Sequence, residues 1–307
     1  MFDFPAAYYE ADREALFAAL ATALQEECVT LLCGSGCSTG MNLPAWHDLV
    51  NSCTRAVLRR PGVTRNDLHV NFTQDSSSDD MFSQMEIVRG ILGDVDYLEQ
   101  VRLDLYRNHG DTLSGEASQL LRAIGGMVTP SRRGTVNKII TLNFDCIIEW
   151  YLQSHGLALQ IVSRWPTLLR RCDVTVYHPH GYLPISTEFG MRSDRIVFDS
   201  TDVDREGAGP SPLRQLFKHL LTSRFILAVG LGGRDYLVRS LLQAVVDTIE
   251  EKECPFPLGC WLCTDSVKPA VKDQLRKRGF IILELGGQGS EDILFEIVRR
   301  ARGPVIC

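Results

Sequence analysis

Five consecutive apolar residues, Phe225-Ile226-Leu227-Ala228-Val229, run directly into Gly230-Leu231-Gly232-Gly233. A strand with no polar residue at alternate positions must be covered on both faces, which confines it to the interior of a mostly parallel sheet between helices. Similar short runs rich in β-branched residues occupy 29–33, 138–142, 175–178, 258–263 and 280–285. Longer amphipathic stretches at 12–25, 46–59, 145–153, 213–221, 236–249, 267–278 and 292–302 alternate with them. That alternation predicts an α/β fold with a doubly wound, mostly parallel sheet.

One break interrupts the rhythm. Residues 61–134 hold a polar loop, Gln74-Asp75-Ser76-Ser77-Ser78-Asp79-Asp80, and two helical patterns at about 81–108 and 113–127, with no strand between them. The expected organisation is a Rossmann-like domain of residues 1–60 and 135–307 with a helical insertion at 61–134. Such an insertion hangs over the carboxyl ends of the strands, where open α/β sheets bind ligands. A second irregular segment, 184–212, reads as a lid or a partner loop.

Composition narrows the function classes. A chain of 307 residues that is 45% hydrophobic and 23% charged is neither disordered nor a coiled coil. Its net charge of −6 gives no electrostatic footprint for direct nucleic-acid binding. The ten cysteines are scattered, and Asp3, Glu10, Asp12 and Glu14 stand where a secretory signal needs an apolar run, so a cytoplasmic location is expected. No apolar stretch is long enough for a membrane span.

Four stretches carry chemistry. In the first, Cys33-Gly34-Ser35-Gly36-Cys37-Ser38-Thr39, a strand ends in Gly-x-Gly, which lets backbone N–H groups approach a pyrophosphate, with hydroxyls beside it. It also reads as a tight strand-to-helix turn that binds nothing. In the second, Thr141-Leu142-Asn143-Phe144-Asp145, alternate polar residues at a strand end can converge on one ligand. Asp145 equally suits a helix cap. In the third, His178-Pro179-His180-Gly181, a histidine at a strand end suits a general base near neutrality. The two histidines also suit a shared metal, or structural bonds to backbone carbonyls. In the fourth, Gly230-Leu231-Gly232-Gly233-Arg234-Asp235 lets a ligand lie against backbone at a helix start, with the same capping alternative for Asp235.

Taken in order, Gly34-Ser35-Gly36-Cys37-Ser38 with Pro44, Thr141-Leu142-Asn143-Phe144-Asp145, His180-Gly181 and Val229-Gly230-Leu231-Gly232 resemble the sirtuin superfamily over about residues 28–290. The resemblance implies binding of nicotinamide adenine dinucleotide (NAD) as substrate and cleavage of its bond to nicotinamide. By resemblance Gly34, Gly36 and Ser38 match the phosphate turn and Gly230 and Gly232 the glycine-rich crest on the adenosine side, and Ser35 and Thr141 are expected to bind NAD with them. Asn143 matches the asparagine beside the nicotinamide ribose, Asp145 the aspartate near the carboxamide and His180 the general base.

Two departures choose a branch. Sirtuin deacylases carry a zinc ribbon of two Cys-x-x-Cys pairs, whereas this chain has one, Cys260-Trp261-Leu262-Cys263, inside an expected core strand. Leu142 replaces the glutamine usual in deacylases. Both features resemble the zinc-free, sirtuin-like NAD hydrolases of bacterial antiphage defence, which deplete NAD in the infected cell, and they imply no metal. The other readings are an NAD-dependent protein deacylase and a non-catalytic NAD- or ADP-ribose-sensing subunit. The resemblance further implies a partner such as a HerA-type ATPase or a short Argonaute, or a homo-oligomer. The aromatic start, Phe2, Phe4, Tyr8 and Tyr9, suits a contact with a neighbour or packing on the chain's own sheet.

Overall fold

The computed structural model describes residues 2–64, 68–69, 71–73, 76–109, 113, 116–164, 167–168, 170–186, 196–198, 212–232, 256–264 and 267–303. Its centre is a seven-stranded sheet of β1 (Val29–Cys33), β2 (Lys138–Thr141), β3 (Leu159–Val162), β4 (Val174–Tyr177), β5 (Phe225–Val229), β6 (Gly259–Cys263) and β7 (Phe280–Glu284). The order is β3-β4-β2-β1-β5-β6-β7 and every pairing is parallel. Leu31 of β1 sits opposite Ile139 on one side and Leu227 on the other. From β1 the chain winds outward through β2, then returns across the sheet to β5, so the β1/β5 boundary is the topological switch point.

The two faces of the sheet read directly from the period of two. Leu31, Ile139, Val176, Leu227 and Ile281 face a layer built from α2 (Arg13–Gln25), α7 (Gln119–Val128), α8 (Ile147–Ser154) and α11 (Ser290–Arg302). Leu32, Ile140, Tyr177, Ala228 and Ile282 face the other way, toward α9 (Pro212–Ser223) and α10 (Pro269–Lys277). Phe2 stacks on Phe225 with ring centroids 3.9 Å apart and Tyr9 is buried on α1 (Ala6–Ala11), whereas Phe4 and Tyr8 are exposed. The aromatic start therefore divides between packing on its own sheet and facing solvent.

Between β1 and β2 lie α3 (Gly36–Thr39), α4 (Trp46–Leu58), α5 (Ser78–Leu92), α6 (Asp94–Leu105) and α7, with no strand among the described residues. The single helical pattern expected over 81–108 is two helices. Gly93 donates its N–H to the Arg89 carbonyl and ends α5 at φ 72° and ψ 161°, a conformation essentially reserved for glycine. Edge strand β3 was not expected from the sequence. Of its four residues Val162 alone is buried, so it lacks the apolar run that marks an interior strand. The expected helix at 236–249 and most of the 184–212 segment lie outside the described residues, as do Cys254, Cys307 and Gly233-Arg234-Asp235.

At the switch point the carboxyl ends of β1 and β5 touch backbone to backbone. Gly34 N–H donates to the Val229 carbonyl and Gly36 N–H to the Gly230 carbonyl, each at 3.0 Å. A Cβ on Gly36 would stand 2.8 Å from Gly230 Cα, and Gly230 itself has φ +67°. Gly36→Ala must therefore push two crests apart, and overpacking of this kind costs about 1–3 kcal/mol. Urea unfolding of Gly36→Ala against wild type checks this; an unchanged midpoint would show that the crests separate freely.

Candidate functional site

The Gly-x-Gly stretch is first a junction. Its Gly34 and Gly36 N–H groups are engaged by β5, and the chain turns at once into the one-turn helix α3 rather than first into the helix at Trp46. This brings Ser38, 3% exposed, over the end of β2. Asn143 Nδ2 donates to the Gly34 carbonyl at 3.0 Å and to Ser38 Oγ at 2.9 Å. Asn143 N–H donates to Thr141 Oγ1 at 3.2 Å, so Thr141, buried at the strand end, braces the asparagine backbone.

Asp145 is enclosed beside them. Its Oδ1 accepts the Ile147 N–H at 3.1 Å from one residue before Cys146, the N-cap of α8, and Ser38 also hydrogen-bonds the carboxyl. Burial pushes the Asp145 carboxyl up to about 6, against these two hydrogen bonds, with the Glu149 carboxylate adding to the rise and His178 opposing it. Ser35, Ser38, Asn143 and Asp145 line one pocket with Leu43, Trp46, Leu49, Leu105, Leu142 and Phe144. Its cavity volume is about 50 Å³ and it opens to solvent. A carboxyl and an amide beside apolar and aromatic walls suit a flat ring that carries a polar substituent.

The third motif separates into two roles. His178 is fully buried: Nδ1 lies 2.9 Å from the Asn143 carbonyl and Nε2 lies 2.7 Å from Glu149 Oε1. Both ring nitrogens are thereby occupied, so His178 is not placed to share a metal with His180. Burial alone would lower the His178 imidazole, but the Glu149 carboxylate and these two hydrogen bonds raise it above the ordinary value. His180 is 3% exposed and lies outside the lining of the Asn143 pocket. Its carbonyl accepts the Val197 N–H at 2.8 Å, beneath the buried segment 196–198. Phe198 of that segment packs against Trp46 and Phe144, with ring centroids 4.7 and 5.3 Å away.

The crests of β2 and β4 are stitched together. Leu183 N–H donates to the Phe144 carbonyl at 2.7 Å. Tyr106, just past α6, accepts the Cys146 N–H at 2.9 Å and donates to the Leu183 carbonyl at 2.8 Å. The end of the helical segment also reaches the first crest, where Asn108 Nδ2 donates to the Asn42 carbonyl at 2.9 Å. On the β5 side, Gly230 packs under Cys37, while a Cβ on exposed Gly232 would meet nothing within 4 Å. Cys260 and Cys263 lie buried within β6.

The structure thus gathers Ser35, Ser38, Asn143 and Asp145 in one pocket, places Gly34, Gly36 and Gly230 in the junction beneath, and sets His180 apart under 196–198. Sequence reasoning missed Glu149 and Tyr106. Glu149 carried a signal, as the lone acid in Ile147-Ile148-Glu149-Trp150-Tyr151-Leu152, a run that leaves it no solvent face. Tyr106 carried none, because its two partners lie 40 and 77 residues away.

Asp145 generates a pH dependence. Below about pH 4 its carboxyl is protonated both folded and unfolded. Between the ordinary value of 3.8 and about 6 the unfolded chain releases the proton while the folded chain holds it, so stability falls as pH rises. The full loss, about 3 kcal/mol for a shift of this size, is present above that window. His178, raised from its ordinary value, loses its contribution as pH rises through that raised value. Asp145→Asn is expected to flatten the wild-type decline between pH 4 and 6 in denaturant titrations; an unchanged slope would assign the decline to another group.

Residues 137–283 match the family model described as a SIR2-like domain, a span from the start of β2 into β7 that holds Asn143, Asp145, His180, Gly230 and Gly232. A search of curated proteins returned no match. Among solved structures, a chain described as "Structural Basis for the Mechanism and Regulation of Sir2 Enzymes" is similar, with a TM-score of 0.45 and 14% identity over 93% of this chain and 96% of that one. Over residues 137–283, just under half of its length, this chain is thus similar to the SIR2-like domain family.

Proposed function

We propose that this chain is an NAD glycohydrolase that cleaves NAD to nicotinamide and ADP-ribose. The observation that carries the reading is the pocket in which Asn143, Asp145 and Ser38 meet apolar walls that include Trp46 and Phe144. The nicotinamide ring of NAD suits those walls, and its carboxamide suits the Asp145 carboxylate as a hydrogen-bond acceptor. The open backbone at Gly232, just past the Gly230 junction, leaves room for the adenosine part across the switch point.

The chemistry asks little of the protein. The pyridinium leaves as neutral nicotinamide, so the departing group needs no proton. The bond from the ribose C1′ to nitrogen breaks, water supplies the oxygen that replaces it, and the proton of that water passes to His180 as general base. Asn143 holds the ribose and the water in place. Because Asp145 serves as the carboxylate, activity is expected to fall as pH drops below about 6.

The same proposal includes the biological setting: a cytoplasmic, zinc-free effector that depletes NAD in antiphage defence. The helical segment 61–134 then forms the smaller unit beside the catalytic one, and control comes from self-assembly or from a partner protein such as a HerA-type ATPase or a short Argonaute. The enclosure of His180 under 196–198 fits an enzyme that is inactive until such a partner acts. Among the described residues no helix is long and apolar enough to cross a membrane.

Chromatography of NAD incubated with the full chain, alone and with any co-purifying protein, tests the reading. Nicotinamide and ADP-ribose are expected in equal amounts without any acylated peptide. His180→Ala and Asn143→Ala are expected to lower the rate by about 10²–10⁴-fold. NAD that is bound but left intact in every arm would reject the hydrolase, and formation of acyl-ADP-ribose only with an acylated peptide would assign a deacylase instead.

A further inference from the structure

Glu149 and His178 are 1% and 0% exposed, and neither lines the pocket beside Asn143. The Asn143 carbonyl oxygen can only accept, so His178 Nδ1, 2.9 Å away, carries a hydrogen and donates it. Nε2, 2.7 Å from Glu149 Oε1, then either donates to the carboxylate or accepts from the carboxylic acid. One proton lies between the two groups in both states, so the contact persists through either. Taking an acid and an imidazole out of water is costly, and Glu149 Oε2 is buried with no hydrogen-bond partner among the described residues. Apolar side chains of the same size would fill this space without that cost, so stability alone does not account for the pair.

What the pair touches does account for it. Asn143 is bonded at each end: its carbonyl by His178, its N–H by Thr141 Oγ1, and its side-chain amide by the Gly34 carbonyl and Ser38. Tyr182 packs edge-on against the His178 ring at 4.8 Å and limits its tilt. We propose that Glu149 and His178 are positioning residues: the carboxyl fixes the imidazole, and the imidazole fixes the Asn143 backbone, and with it the direction of the Asn143 amide at the pocket. The kinetic consequence rests on the NAD-cleavage reading, whereas the geometric one does not.

The test uses the full chain with Glu149→Ala, His178→Ala and Glu149→Gln. Glutamine keeps a donor for Nε2, so Glu149→Gln is expected to hold wild-type kcat. Glu149→Ala and His178→Ala are expected to lower kcat per folded molecule by about 10²-fold with KM little changed, the signature of a displaced reacting group rather than lost substrate binding. Folded fraction is read by circular dichroism, and His178→Ala gives the answer where Glu149→Ala does not fold. Full kcat in the folded alanine variants, or equal losses in Glu149→Gln and Glu149→Ala, would overturn the proposal. If the wild-type chain leaves NAD intact both alone and with any co-purifying protein, the proposed function fails separately. The amide resonances of residues 143–147 then decide the pair: they must move in an alanine variant and stay in Glu149→Gln, and unmoved resonances reject it.

Discussion

Gly36 and Gly230 meet as bare backbone, and the position of every group in the candidate site follows from that meeting. The contact sets the depth at which β1 hands over to α3, and α3 sets where Ser38 stands. Ser38 is the group that both Asn143 and Asp145 touch. A side chain at the junction would lift this arrangement away from β5. The glycines matter here chiefly because they let two strand ends come within hydrogen-bond distance. Under the proposed NAD-cleavage reading, a ligand at the switch point lies on a floor of backbone already committed to the protein, and polar side chains supply the remaining recognition.

Around that floor the buried polar groups form one continuous arrangement. Glu149 lies close enough to Asp145 and His178 to raise both of their pKa values, and His178 faces the Asn143 carbonyl rather than the pocket. Tyr106 ties the crest of β2 to the segment after β4 from outside the sheet. These contacts come from residues far apart in sequence, so the crests hold their spacing through tertiary bonds rather than local turn preferences. Such networks are strong when each member is satisfied and costly when one is removed.

The interior strands were legible because burial on both faces leaves an unbroken apolar run, and β1 and β5 begin and end where that run does. The edge strand β3 was not, since partial exposure allows Gln160 in its middle. Gly93 was visible in the sequence but its effect was not, because a glycine within a helical pattern ends the helix only when the next segment has somewhere else to pack. In the site, the motif residues were legible as types at strand ends, whereas their division of labour was not. Nothing local distinguishes His178 from His180 two residues later; what separates them is Glu149, on a helix that the sequence places but does not orient.

The thiols follow from the same burial. Cys33, Cys37, Cys53, Cys146, Cys260 and Cys263 are all enclosed, and they are distributed across the sheet and the helices that cover it. Cys260 and Cys263 stand three residues apart on one strand, so they point to opposite faces of the sheet. A thiol reagent reaches either one only when the layer above it opens, and burial, which pushes the Cys263 thiol up to about 11, keeps it protonated and unreactive until then. The native chain therefore carries reporters on both sides of its core, and the order in which they become labelled is a record of which layer loosens first.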